Sequence, residues 1–156
     1  ETEPRTGKMA TKKNVLVYVL LIAFLVFIDY ISKEYFKNKS IIIINNIIEI
    51  EYVRNSGLIY GLFKGNLYLT ILLPLIILIF TAYYFIFDKK YSKYIIPGIF
   101  IMAGILGNLI SRIVYGYVID WIKIPFLILL FPNFNIADML TFIGVISLLV
   151  MLSRKK

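Results

Sequence analysis

Asp29, Asp120 and Asp138 lie at or beside the ends of long apolar runs. An ionisable side chain at membrane depth costs at least about 2.5 to 3.5 kcal/mol unless it is paired or wet, so each of these needs a reason to be there. Two carboxylates brought close together share a proton. One, ionised, can deprotonate water while its protonated partner polarises a carbonyl and later supplies a proton. That is aspartic-protease chemistry, and such a pair titrates as a coupled unit. The sequence has no histidine and no cysteine, which removes imidazole bases, thiolate nucleophiles, disulfides, haem axial histidines and the commonest zinc sites. Carboxylate chemistry needs neither metal nor cofactor, and none is expected.

Each candidate also has a purely structural explanation. Asp29 stands three and four residues before Ser32 and Lys33, all on one helical face, so an Asp29–Lys33 ion pair at the interface accounts for it. An acid in the last turn of a helix opposes the helix dipole, however, and that predicts a further partner. Gly104, Asn108 and Arg112 recur every four residues on a face that cannot point at lipid. A glycine-lined helix contact with Asn108 bonding across it and Arg112 snorkelling outward explains them structurally, whereas Asn108 and Arg112 together favour a wet site. Asp120 is isolated in the extended segment Gly116 to Ile122; if that is a strand, it faces opposite to Ile119 and Trp121. Its structural alternative is a solvated rim carboxylate beside a Trp121 interface anchor. Asn135 followed three residues later by Asp138 has the form of a helix N-cap, where an acid is welcome in any case. What favours chemistry is convergence: Asp120, Asp138, Asn108 and Arg112 all fall at one membrane boundary on neighbouring segments.

The elements that must position these residues are legible from composition. The chain has 156 residues, 60% hydrophobic and 17% charged, with a mean hydropathy of +0.85. A membrane-crossing helix needs roughly 20 apolar residues, so a large soluble catalytic domain is excluded. The apolar runs Val15 to Ile31, Leu67 to Phe87, Tyr94 to Tyr115 and Ile136 to Leu152 predict a mainly α membrane protein with four transmembrane helices. Residues 11–156 then form a single integral membrane domain. Glu1 to Ala10 match nothing that follows and are expected to be an extraneous or disordered leader. The first span is too long, and too poor in small residues at its end, for a cleavable signal peptide.

Lysine and arginine concentrate at Lys12 and Lys13, at Lys89, Lys90 and Lys93, and at Arg154 to Lys156, all on one side of such a topology. Both termini are therefore expected in the cytoplasm, and the net charge of +8 is assigned to this asymmetry rather than to nucleic acid. The outer side receives loops 33–66 and 116–134. In the first, Ile41 to Ile44, the turn Asn45–Asn46 and the alternating run Ile47 to Val53 predict a small β hairpin. The apolar stretch Phe126 to Phe131, between Pro125 and Pro132, is too short to span and is placed at the interface. No internal repeat and no glycine-rich phosphate loop is present.

The same residues, taken in order, resemble the bacterial lipoprotein signal peptidase family, also called type II signal peptidase. The resemblance covers about Leu16 to Leu152 and rests on Asp29-Tyr30-Ile31-Ser32-Lys33, Asn55-Ser56-Gly57-Leu58-Ile59-Tyr60-Gly61, Gly107-Asn108-Leu109-Ile110-Ser111-Arg112, Val118-Ile119-Asp120-Trp121-Ile122 and Phe134-Asn135-Ile136-Ala137-Asp138. It implies an intramembrane aspartic endopeptidase of the bacterial cytoplasmic membrane that cleaves prolipoproteins before a diacylglyceryl-modified cysteine. Asp120 and Asp138 would be the catalytic pair, near the outer leaflet. Asp29, Lys33, Asn55, Gly57, Asn108, Arg112, Asn135 and Ala137 would line or brace the site, and the outer hairpin would cradle substrate. The implied partners are diacylglyceryl-modified prolipoproteins and membrane lipids, with no nucleic acid; a monomer is expected. The chain departs from the family pattern at Tyr30, Leu58, Ile59, Tyr60 and Ser111, where glutamine, smaller residues, an aromatic and aspartate are usual.

Two other functions compete. A small membrane transporter or ion-binding protein would use the same acids along a polar pathway, but the second span is almost wholly apolar. A serine–lysine peptidase would need Ser32 and Lys33 to act on each other, and adjacent helical positions are poorly placed for that.

Overall fold

The computed structural model describes residues 11–58, 62–129 and 132–154. Among the residues named above, Glu1 to Ala10, Ile59 to Gly61, Leu130, Phe131, Lys155 and Lys156 lie outside this range. The described elements run α1 (Lys12–Phe36), β1 (Ser40–Ile44), β2 (Ile48–Asn55), α2 (Leu67–Ala82), α3 (Ile95–Tyr115), β3 (Val118–Lys123) and α4 (Ile136–Ser153). Four helices, α2 taken with the π-helical turn Tyr83–Phe87 that continues it, are long and apolar enough to cross a membrane. Most of α1, α2 and α4 presents apolar side chains outward, whereas α3 is largely enclosed by its neighbours. That makes α3 the central post of the bundle.

α1 outruns its hydropathy. The apolar run stops at Ile31, yet the helix continues to Phe36 because Lys33 turns inward and is buried. The outer loop accordingly starts later than residue 33. A 3₁₀ turn, Ser92–Tyr94, leads into α3, which ends at Gly116 in the left-handed conformation (φ 79°) with its N–H donated to the Arg112 carbonyl. α3 and α4 meet at Gly104, where a Cβ would run into the Ala137 carbonyl oxygen and Thr141 Oγ1. Only a glycine allows this approach.

The sheet is larger than a hairpin. β1 and β2 pair antiparallel around the Asn45–Asn46 turn, and β3, reached only after two helices, pairs antiparallel with the other side of β2. In this register Val53 faces Asp120 and Asn55 faces Val118. Phe134 bridges to Ile122, so the chain is fastened to the sheet just before α4 begins. Trp121, expected as an interface anchor, stacks on Phe36 at 4.0 Å between ring centroids and clamps β3 to the end of α1. After β3, Pro125–Leu127 form a 3₁₀ turn with Phe126 exposed.

Candidate functional site

Asp120 occupies the middle of β3, with Ile119 and Val118 buried beside it, and is itself only 2% exposed. Asn135 Nδ2 donates to its Oδ1 at 2.6 Å and Asn55 Nδ2 to its Oδ2 at 3.0 Å. Asn55, the last residue of β2, has its own Oδ1 fixed by the Gly57 N–H at 3.0 Å. Asp138 lies in the first turn of α4. It forms a reciprocal capping box with Asn135: the Asp138 N–H donates to Asn135 Oδ1 at 3.0 Å, and the Asn135 N–H to Asp138 Oδ2 at 3.1 Å. Its other oxygen accepts from Asn108 Nδ2 at 2.7 Å.

Asn135 therefore touches both carboxylates, Asp120 through its side chain and Asp138 through its backbone. A second amide joins the arrangement, since Asn108 Oδ1 accepts from Asn135 Nδ2 at 3.1 Å and from Lys33 Nζ at 2.9 Å. Each bond fixes which end of an amide is oxygen and which is nitrogen, so the polarity of the network is set by Lys33, which can only donate.

Behind the amides lies a buried ion pair. Lys33 Nζ is 2.6 Å from Asp29 Oδ2, and both side chains are 1% exposed. The further partner that the helix dipole demands for Asp29 is the Ala137 N–H, which donates to Oδ1 at 2.9 Å. Asp29 thus satisfies one of the free N–H groups at the start of α4 from across the bundle. Ser32 donates its hydroxyl to the Asp29 carbonyl at 2.7 Å, and Lys33 points away from it toward Asp29 and Asn108. Arg112 does not snorkel. It turns inward, donating to the Gly57 carbonyl at 2.8 Å and the Asn108 carbonyl at 3.3 Å, while its buried Nε has no partner among the described residues.

The electrostatics separate Asp120 from an ordinary carboxylate. Burial first, and the neighbouring Asp138 carboxylate second, push its pKa up to about 7, against the opposing hydrogen bonds of Asn55 and Asn135 and the charge of Lys33. At neutral pH it is poised between its two protonation states. A cleft of about 430 Å³ opens onto it, with Val53, Asn55, Ser56, Lys64 and Ile128 among its walls. Ser56 falls within the Asn55–Gly61 motif and Ile128 within the apolar Phe126–Phe131 stretch, whereas Lys64 carries no sequence signal that would assign it to such a cleft.

All ten residues singled out from the sequence for the site belong to this one connected region: Asp120 and Asp138 at its centre, Asn55, Asn108 and Asn135 around them, and Asp29, Lys33, Gly57, Arg112 and Ala137 outside. Gly107 was missed as a site residue. A Cβ there would come within 2.7 Å of Asp29 Oδ2, so its lack of a side chain is what lets the ion pair of α1 pack against α3.

Comparison with known proteins places the chain among relatives. The family model described as Signal peptidase (SPase) II matches residues 21–154. A lipoprotein signal peptidase of Clostridium novyi (strain NT) is 39% identical over 144 residues, covering 88% of this chain and 97% of that protein. One of Clostridioides difficile (strain 630) is 34% identical over 140 residues, covering 86% and 93%. A bacterial membrane enzyme solved by the in meso method at 2.3 Å resolution superposes with a TM-score of 0.78 at 31% identity, covering 97% of this chain and 96% of that one. With four membrane-capable helices, a small antiparallel sheet and a match of this extent, the chain belongs to the signal peptidase II family of membrane peptidases.

Proposed function

We propose that this protein removes signal peptides from prolipoproteins, cutting before a diacylglyceryl-modified cysteine, with Asp120 and Asp138 as the catalytic pair. The observation that carries this proposal is the position of Asn135, bonded at once to Asp120 and to Asp138. A single residue that grips two carboxylates holds them as a unit, and the mechanism requires a unit.

In this mechanism Asp138 is the base. It lies at the N-terminus of α4, where the helix dipole favours negative charge, and receives N–H donors on both oxygens. Asp120, with its raised pKa, is the acid. Asp138 takes a proton from water as the hydroxyl adds to the scissile carbonyl carbon, and Asp120 donates its proton to the carbonyl oxygen. Collapse of the tetrahedral adduct breaks the C–N bond. The proton held by Asp138 passes to the leaving amine, and Asp120 recovers its own from the adduct hydroxyl. The surrounding amides supply fixed dipoles that need no reorganisation as charge develops.

A lipid-modified cysteine keeps its acyl chains in the outer leaflet, and a site at that boundary meets the peptide bond without extracting them. The site is therefore placed at the outer leaflet of a bacterial cytoplasmic membrane. Both termini are placed on the cytoplasmic side, and one chain supplies every residue named for the chemistry.

The test is cleavage of a diacylglyceryl-modified prolipoprotein peptide by the purified protein in detergent with chelator present, alongside an unlipidated peptide and the Asp120→Asn and Asp138→Asn variants. Lipid-dependent, chelator-resistant cleavage is expected, falling by at least about 10²- to 10⁴-fold in each variant. Near-normal turnover in either folded variant would falsify the pair.

A further inference from the structure

The β1–β2 hairpin is made from residues that water does not favour. Ile41, Ile42, Ile43 and Ile44 are 45, 66, 57 and 49% exposed, and Ile47 and Ile48 beyond the turn are 47 and 38% exposed. Successive side chains of a strand point to opposite faces, so β1 offers isoleucine on both. A sheet strand with one wet face alternates apolar and polar residues, and β1 does not. It is also an edge strand, with neither charge nor proline among its isoleucines and only a register shift between Ile42 and Ile44 to interrupt the ladder.

Only Lys37 to Lys39 separate β1 from α1. The outward face of α1 is apolar along its length and remains so near this end, where Ile28 and Ile31 are exposed. The exposed isoleucines of the hairpin thus follow, within three residues of chain, an apolar helix face of the kind that meets lipid. The junction carries the residue types that settle at headgroup level: Lys39 Nζ lies 3.4 Å from the centroid of the Tyr35 ring, and Lys37 Nζ lies 4.4 Å from that of Tyr115. Charge is confined to β2 and β3, where Lys123 pairs with Glu49 at 3.3 Å and with Glu51 at 2.5 Å. The unpaired backbone edge of β1 sets a limit on depth, because open sheet edges are not tolerated in the hydrocarbon core.

We propose that the β1–β2 hairpin is a membrane-interface anchor, with Ile41 to Ile44, Ile47 and Ile48 seated among glycerophospholipids at the boundary between headgroups and acyl chains. The anchor has a geometric consequence for the site. Ile41 pairs with Ile50, which pairs with Ile122, and Asp120 stands two residues along β3 from Ile122. At roughly 3.3 Å per residue that is about 7 Å along the strand, so the hairpin gauges the depth at which Asp120 is held. The anchor does not depend on the proteolytic mechanism proposed above.

Because the sequence contains no cysteine, single thiols report cleanly. The full-length protein carrying Ile41→Cys or Ile42→Cys, consecutive paired positions and so one for each face of β1, is labelled with a polarity-sensitive fluorophore. It is reconstituted into phosphatidylcholine–phosphatidylglycerol vesicles, with Lys90→Cys, exposed in the turn between α2 and α3, as the aqueous reference and iodide on both sides of the bilayer. Both hairpin labels are expected to emit to the blue of the reference. They should be quenched several-fold more strongly by a nitroxide placed high on the lipid acyl chain than by iodide in the buffer. Iodide quenching equal to the reference at either position overturns the anchor. Shielding from both quenchers, with energy transfer between labelled copies, overturns it in favour of edge-to-edge pairing of two chains. Shielding that appears only when substrate peptide is added overturns it in favour of strand addition by substrate.

Discussion

At the scale of single residues, the proposed division of labour between the two carboxylates follows from their surroundings. Asp120 is buried in a strand and held by neutral amides, with a pKa raised to about 7. It is protonated below that value, so cleavage is expected to fall as the pH rises through about 7. The Asn55 hydrogen bond favours ionised Asp120. Removing it in Asn55→Ala raises the Asp120 pKa further, so the alkaline limb of the pH–rate profile should move to higher pH. A profile in which that limb stays in place while the rate falls would show Asn55 to be merely structural. Both aspartates are visible in the sequence because carboxylates are rare in so apolar a chain. The double duty of Asn135 is not, since an asparagine before a helix reads as a cap in any protein. Its bond to Asp120 depends on where β3 lies, and no local pattern encodes that.

At the scale of elements, two contacts fix the site. The Asp29–Lys33 pair joins α1 to α3 through Asn108 and to α4 through the Ala137 N–H. Lys33→Met leaves Asp29 as an uncompensated buried charge, which should cost about 3 to 5 kcal/mol in thermal or denaturant unfolding in detergent. The double variant Asp29→Leu with Lys33→Met should recover part of that loss. Gly104→Ala drives a methyl group into the Ala137 carbonyl and should destabilise by about 1 to 3 kcal/mol. Adding Thr141→Ala should not rescue it, because the backbone oxygen stays. Hydropathy alone reveals the four helices, but it ends α1 at Ile31, because a lysine looks like an exit from the membrane. Lys33 is kept inside by Asn108, 75 residues away. The third strand is equally hidden, since β3 finds β2 only after two helices have been laid down between them.

At the scale of the whole molecule, the dense basic clusters at Lys12–Lys13 and Lys89, Lys90 and Lys93, with only Asp88 beside them to offset charge, fall at the end of the bundle away from the sheet and the site. Reporter fusions at the N- and C-termini are expected to be cytoplasmic, and a reporter on either terminus active only outside the cytoplasm would invert the topology. This asymmetry is legible because it needs only the order of charges and spans. The central place of α3 is not, since all four helices look alike in hydropathy and only the close approaches at Gly104 and Gly107 show which one the others surround. The capping box at Asn135 and Asp138 reaches further than geometry. The segment that starts α4 is the last part of the site to leave the ribosome, and Asn135, the residue that caps this helix, is the one bonded to both acids. A half-made chain holds Asp120 without its partner. On the proposed mechanism a nascent chain is therefore inactive until α4 has nucleated, so that order of synthesis alone guards against premature cutting.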